Sequence, residues 1–235
     1  MNTFIILGKH PVLELINSNS KRIIEVFILK QNVKQLENIK FKNFKVVDKD
    51  FFKKLDKNLG LQHQGYAAKI INENIDIKKL VKSDNNIVLL DGINDPRNQG
   101  AIIRNCLAFN INDIVIEKKF YNQDSFSMHL ASSGATMRCR IYSVSNINNL
   151  IKELKKNDYW IFGLDGNAKK SIKNFNFNLK KNVLIFGSEG YGMRKNIINK
   201  CDEVLKIDIN KKINSLNVSS ASAIALYELN KKNRL

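Results

Sequence analysis

Three glycine-bearing stretches hold the residue types best suited to polar chemistry. The first, DGINDPRNQGAIIR (91–104), carries Asn98 and Arg104. The second, FGSEGYGMR (186–194), sets Glu189 among Gly187, Gly190 and Gly192. The third, INSLNVSSASAIALYE (213–228), offers Ser215 and Asn217 ahead of a run of small residues. Arginine presents a rigid fork of donors that fits phosphate or carboxylate, while Asn, Ser and Glu orient hydroxyl groups through hydrogen bonds. Glycines just after an apolar strand let the backbone line a pocket. Three glycines within six residues, directly after an apolar strand, indicate such a backbone-lined pocket in the second stretch. The second stretch is neither G-x-G-x-x-G nor a G-K-[ST] phosphate loop, so a dinucleotide or nucleoside triphosphate site is not indicated. Each residue also has a plain structural reading: Asn98 and Ser215 as helix caps, Arg104 as a solvated helix residue, Glu189 as a surface acid. Gly100 would admit a neighbouring backbone or a phosphate.

The elements that must position these stretches alternate. Strands are predicted over 86–92, 113–119, 139–144, 159–166, 182–188 and 203–209, and helices over 98–109, 125–135, 146–157, 192–200 and 215–232. Such alternation implies an α/β fold with a parallel sheet covered on both faces, where ligands bind beyond the carboxyl ends of the strands. All three stretches fall at such ends. The first third reads as shorter α/β elements: a helix HPVLELINS with Pro11 in its first turn, strands at 22–30, 44–47 and 65–71, and helices VKQLENI and DFFKKLDKN. Residues 72–85 lose the apolar pattern. The expected organisation is an N-terminal domain over 1–72, a linker over 73–85 and a C-terminal domain over 86–235.

Composition narrows the partners. Among 235 residues the net charge is +17, which suits a polyanion, although the wealth of Lys, Asn and Ile also reflects an AT-rich coding bias. Arginine is scarcer, and Arg97, Arg104 and Arg194 all fall in the first two stretches. Cys106, Cys139 and Cys201 are scattered without C-x-x-C spacing, which speaks against a disulfide framework or a zinc site and for small buried residues. No apolar run is long enough to span a membrane, and MNTFIILGKHPV lacks a basic leader region. A cytoplasmic protein with no metal and no membrane partner is expected.

D-P-x-N-x-G-A-x-x-R, G-S-E-G-x-G-M and S-L-N-V-S-x-A, in that order, resemble the three signature motifs of the SpoU (TrmH-like) branch of the SPOUT methyltransferases. The likeness covers about residues 86–235, and G-K-H-P-V-L-E-L-I (8–16) with H-Q-G-Y-A-A (63–68) extends it to the bacterial 23S rRNA guanosine-2′-O-methyltransferases. His10 and His63 in those segments read as packing or local hydrogen-bonding residues. The resemblance implies a C-terminal SPOUT domain with a trefoil knot, preceded by a small RNA-binding domain like ribosomal protein L30e. It implies a homodimer with a site completed across the interface. S-adenosylmethionine would be held by Gly187, Ile207 and Leu216, and the substrate would be 23S rRNA. Arg104 is implied to activate a ribose 2′-hydroxyl, supported by Asn98, Glu189, Ser215 and Asn217. A literal arginine base is chemically awkward, since its pKa exceeds about 12. A phosphate clamp, with Glu189 holding Arg104 or the ribose, is preferred.

Two alternatives share these motifs: a tRNA ribose methyltransferase, which more often carries basic terminal extensions, and a non-catalytic RNA-binding assembly paralogue. The chain departs from the family pattern in three places. Asp208 and Lys211 replace a usual Pro and Gly before the third motif, and Asn110 replaces a Gly after the first helix. Asn tolerates the same left-handed backbone.

Overall fold

The computed structural model describes residues 3–18, 20–39, 41–56, 63–72, 75–177, 180–210 and 212–231. Lys211 therefore lies outside the described residues.

The C-terminal half is built on a seven-stranded sheet. Its strands are β5 (Ile87–Asp91), β6 (Asp113–Glu117), β7 (Arg140–Val144), β8 (Trp160–Leu164), β9 (Lys170–Ser171), β10 (Asn182–Gly187) and β11 (Glu203–Lys206), and every pairing is parallel. The spatial order is β7-β6-β5-β10-β8-β11-β9. Chain order thus runs outward from β5 to β7, and β10 later fills the slot between β5 and β8. The reversal creates a crevice at the carboxyl ends of the central strands, the usual place for a ligand. β5 and β6 are buried along their full length, which explains why IVLLD and DIVIE read as continuous apolar runs rather than alternating ones.

Helices α4 (Ile77–Val81), α5 (Pro96–Ala108), α6 (Phe126–Ala131), α7 (Ile147–Lys156), α8 (Lys195–Ile198) and α9 (Val218–Asn230) accompany this sheet. One core unites α5 and α9 with Leu90, Ile114, Leu184 and Phe186. A second unites α7 with Leu89, Val115, Ile161 and Ile185. The two cores use alternate residues of the same strands, as the period-two pleat requires.

Several expectations are corrected. The cap of α5 is Asp95, whose side chain accepts from the Arg97 amide at 2.8 Å, not Asn98. Pro96 at the first helical position starts the helix two residues early. Likewise Asn217 rather than Ser215 caps α9, accepting from the Ser219 amide. The helix expected over 192–200 shrinks to α8, because Gly192 lies at φ 67° and bridges to Ser188. Of the two neighbours expected at Gly100, a backbone is the one found, that of α6: a Cβ there would lie 2.3 Å from the Met128 carbonyl oxygen. Leu80, inside the expected linker, is buried in the second core beside Tyr159 and Ile147. Asn110 does take the left-handed conformation, at φ 59°.

The N-terminal unit is a four-stranded sheet of β1 (Thr3–Leu7), β4 (Tyr66–Ile71), β2 (Ile23–Leu29) and β3 (Phe44–Val47) in that spatial order, with α1 (Lys9–Ser18), α2 (Val33–Asn38) and α3 (Lys49–Asp56). Neither β1 nor the two-residue β9 was anticipated. β4 pairs antiparallel with both its neighbours, and β2 and β3 are parallel. His63 accepts from the Gly65 amide and stacks on Phe52 at 4.5 Å, the local role expected of it, while His10 is exposed. The two units meet where α1 and β1 pack on α6 and the turn that follows it; Glu14 pairs with Arg138 there, and Phe4 stacks on His129.

Burial pulls the His129 imidazole down to about 4, with its nitrogens engaged by Thr136 and the Gln123 carbonyl. The sign follows directly. Between pH 6.5 and about 4 the unfolded chain binds a proton here that the folded chain does not, so His129's contribution to stability is full above 6.5 and is lost as pH falls through that window. His129→Gln should therefore flatten the fall in urea stability across this window. An unchanged slope would show that His129 does not couple folding to protons.

Candidate active site

The cavity in the crevice has a volume of about 470 Å³. Its floor is formed by the last residues of β8 and β10, by Leu205 of β11 and by Ile207, and its far wall by Ser215, Leu216, Asn217 and the first turns of α9. Gly187, Ile207 and Leu216, the expected cofactor contacts, all line it, as do Glu189, Ser215 and Asn217.

Asn217 joins the three stretches. Its amide nitrogen donates to Asn98 Oδ1 at 3.1 Å and to Glu189 Oε1, while its carbonyl oxygen accepts from the Ser219 amide and hydroxyl. One side chain thus ties the first turn of α5 and the glycine loop to the start of α9. The Glu189 carboxylate sits where the α9 dipole is positive, a favourable placement. Asn105 reinforces the frame, donating to the Ser219 carbonyl and to the buried Ser222 hydroxyl.

The glycine loop is stiff for identifiable reasons. Ser188 and Gly192 exchange two backbone hydrogen bonds of 3.0 and 2.9 Å. Gly187 allows this closure, since a Cβ there would lie 2.2 Å from the Gly192 carbonyl carbon and from the Met193 nitrogen. Beyond the loop, Arg194 donates from its backbone and from Nε to Asp91, at 2.8 and 2.7 Å, and its guanidinium also meets Glu117 at 3.2 Å. Both carboxylates are buried. Burial pulls the Arg194 guanidinium down, but its hydrogen bond to Asp91 and the two negative charges outweigh that, and the net shift is upward. Arg194 is a staple between the loop and the ends of β5 and β6, which corrects its reading as a phosphate fork.

Arg104 is not brought into this cluster. It is exposed and donates to Ser133 Oγ at 3.1 Å rather than to Glu189. The helix makes this unavoidable: six residues advance about 9 Å and turn roughly 120° away from Asn98. Sequence reasoning missed Ser133, Asp91 and Asn105. The acid ending an apolar strand could have flagged Asp91, whereas nothing local marks Ser133. Asp208, the departure before the third motif, accepts from the Ser171 hydroxyl. Cys106 and Cys139 are buried and Cys201 half-buried, all as free thiols, and burial pushes Cys139 and Cys201 up to about 12. No metal-holding cluster occurs among the described residues, nor any helix there long and apolar enough to cross a membrane.

Comparison with known proteins places this geometry in context. The profile of the SpoU rRNA Methylase family matches residues 85–227. A Staphylococcus epidermidis protein named for the TrmH family of tRNA/rRNA methyltransferases is 31% identical over 99% of this chain and 97% of its own length. Among solved structures, the SpoU methyltransferase AviRb of Streptomyces viridochromogenes, in complex with the cofactor AdoMet, superposes with a TM-score of 0.84 at 17% identity, covering 99% of this chain and 91% of that one. The AdoMet-bound rRNA methyltransferase of Sinorhizobium meliloti gives 0.82 at 17% identity, covering 98% and 87%.

Proposed function

The chain belongs to the SpoU rRNA methylase family, and from that premise we propose that it methylates a ribose 2′-hydroxyl, that of a guanosine in 23S rRNA, with S-adenosylmethionine as donor. The observation that carries this reading is Asn217, whose hydrogen bonds gather Asn98 and Glu189 at the rim of a cavity floored by strand ends.

The cavity fits the donor. Its volume of about 470 Å³ suits a small molecule, and its lining combines apolar side chains with residues of the glycine loop, whose closure Gly187 permits. Gly187, Ile207 and Leu216 would hold the donor, largely through main-chain groups. Once bound, it supplies a methyl group on a positively charged sulfur. The protein's part is to bring the hydroxyl oxygen to roughly 3–3.5 Å from that carbon. Asn98, Glu189 and Asn217 orient the sugar, and Ser215 supports the loop. Arg104 clamps the adjoining phosphate and the hydroxyl, and the proton leaves late to that phosphate or to water.

Arg104 lies off the cavity of its own protomer, which supports a homodimer in which it serves the partner's cavity. The exposed apolar side chains of Ile224 and Tyr227 on α9 favour such a contact. A trefoil knot follows from the same family reading, supported by the late insertion of β10 between β5 and β8. The basic N-terminal unit, residues 1–72, would be the L30e-like RNA-binding domain, and the methyltransferase domain would begin near Ile75 rather than at 86, because Ile75, Ile77 and Leu80 pack in its core. The activity would be cytoplasmic, where ribosomal RNA is processed. The separate N-terminal unit, with its own four-stranded sheet, supports rRNA over tRNA.

Labelled donor and total RNA from a strain lacking this protein provide the test. One 23S guanosine should gain a 2′-O-methyl, and the label should vanish when that sugar is a deoxyribose. Label in tRNA or on a base would overturn the assignment.

Gly187→Ala should push the loop backbone out of place, at a cost of about 1–3 kcal/mol. Calorimetry should show donor affinity reduced by about tenfold or more with RNA binding retained. Wild-type donor affinity would refute a cradle at Gly187.

A further inference from the structure

Tyr191 is 96% exposed, whereas the next most exposed large apolar side chain among the described residues, Ile213, is at 54%. It sits at the tip of the glycine loop, between Gly190 at φ 83° and Gly192 at φ 67°. It also lines the mouth of the cavity. The paired Ser188–Gly192 hydrogen bonds and the Arg194–Asp91 anchor hold the loop backbone that carries the ring. Met193, two residues on, is fixed in the second core. The protomer therefore presents a flat aromatic ring to water beside the site, on a backbone that is itself held in place.

We propose that Tyr191 is a stacking platform for a nucleobase flanking the methylated ribose, a positioning role that rests on the RNA methyltransferase reading above. Three observations select a base over other occupants. The ring lines the cavity that an acceptor ribose has to approach. The chain as a whole, at a net charge of +17, suits a polyanionic partner. The ring's face is free, and every base has a π-face to lay on it, whereas single-stranded RNA is commonly gripped in this way. Stacking tolerates base identity, so Tyr191 would contribute affinity and register for the strand while Asn98, Glu189 and Asn217 orient the sugar. Its phenol takes no part in the methyl transfer.

The test uses the full chain, a fluorescein-labelled 23S rRNA fragment spanning the methylated site, and S-adenosylmethionine. Tyr191→Ala should weaken RNA binding and raise the KM for RNA by about tenfold. In that variant kcat at saturating RNA, the Kd for S-adenosylmethionine and the oligomeric state should stay near wild type. Tyr191→Phe should retain wild-type RNA binding, because the ring and not the hydroxyl stacks. Unchanged RNA affinity in Tyr191→Ala would overturn the proposal. Weakened donor binding would overturn it too, by making the ring a wall of the donor pocket, as would dissociation of the oligomer, by making it a subunit contact. RNA binding is read without turnover. A wild-type protein that binds RNA but methylates nothing would therefore defeat the enzymatic reading, while Tyr191 would still be judged on its own binding data.

Discussion

Arg104→Lys is expected to lower kcat by about a hundredfold, and Arg104→Ala by more, with the melting temperature unchanged. The magnitude is that of removing a donor aimed at developing charge in a transition state, on the order of 10²–10³. Lysine does not rescue because its point charge cannot hold a phosphate and a hydroxyl at once as a planar fork does. Stability is spared because Arg104 is exposed and tied only lightly, to Ser133. Near-normal turnover in Arg104→Lys would refute the clamp. The homodimer reading adds a sharper outcome. Arg104→Ala mixed with Asn217→Ala, each inactive alone, should regain about a quarter of wild-type activity after subunit exchange, since half the dimers are mixed and each holds one complete site. No recovery, with exchange verified, would place Arg104 and the cavity in the same protomer.

Arg194→Met should produce the largest loss of stability, about 3 kcal/mol or more, because it leaves Asp91 buried without a cation and Glu117 with only the exposed Lys119. For a chain of this size that corresponds to a fall of about 10 °C in melting temperature. Methionine keeps much of the stem's packing, so the loss reports the missing charge. Replacing the acids as well, in Asp91→Asn/Glu117→Gln/Arg194→Met, should recover much of the stability, as neutral partners relieve the desolvation cost. Urea titration distinguishes these cases. A loss below about 1 kcal/mol in Arg194→Met would show that the staple adds nothing net.

The same Arg194 shows where sequence reasoning stopped. Its arginine type and its place after a glycine loop suggested phosphate binding. Its actual partners are distant in sequence, Asp91 at the end of β5 and Glu117 at the end of β6, 103 and 77 residues away. Asn98 gives the opposite lesson. Its reading as a cap failed because Asp95 and Pro96 outcompete it locally, yet its place in the site is supported by a side chain 119 residues on, Asn217.

The sequence by itself determined the alternation of strands and helices in the C-terminal half, because burial on both faces of a parallel sheet leaves apolar runs that end in glycine turns. It also determined which turns carry Asn98, Glu189 and Asn217, and the left-handed backbone at Asn110, since turn chemistry is local. Only the tertiary structure decided that β10 lies between β5 and β8, that Leu80 belongs to the core and that Arg104 faces Ser133 instead of Glu189. These depend on which surfaces meet after the chain crosses over, a choice made by the summed fit of packed faces and written in no single stretch of residues.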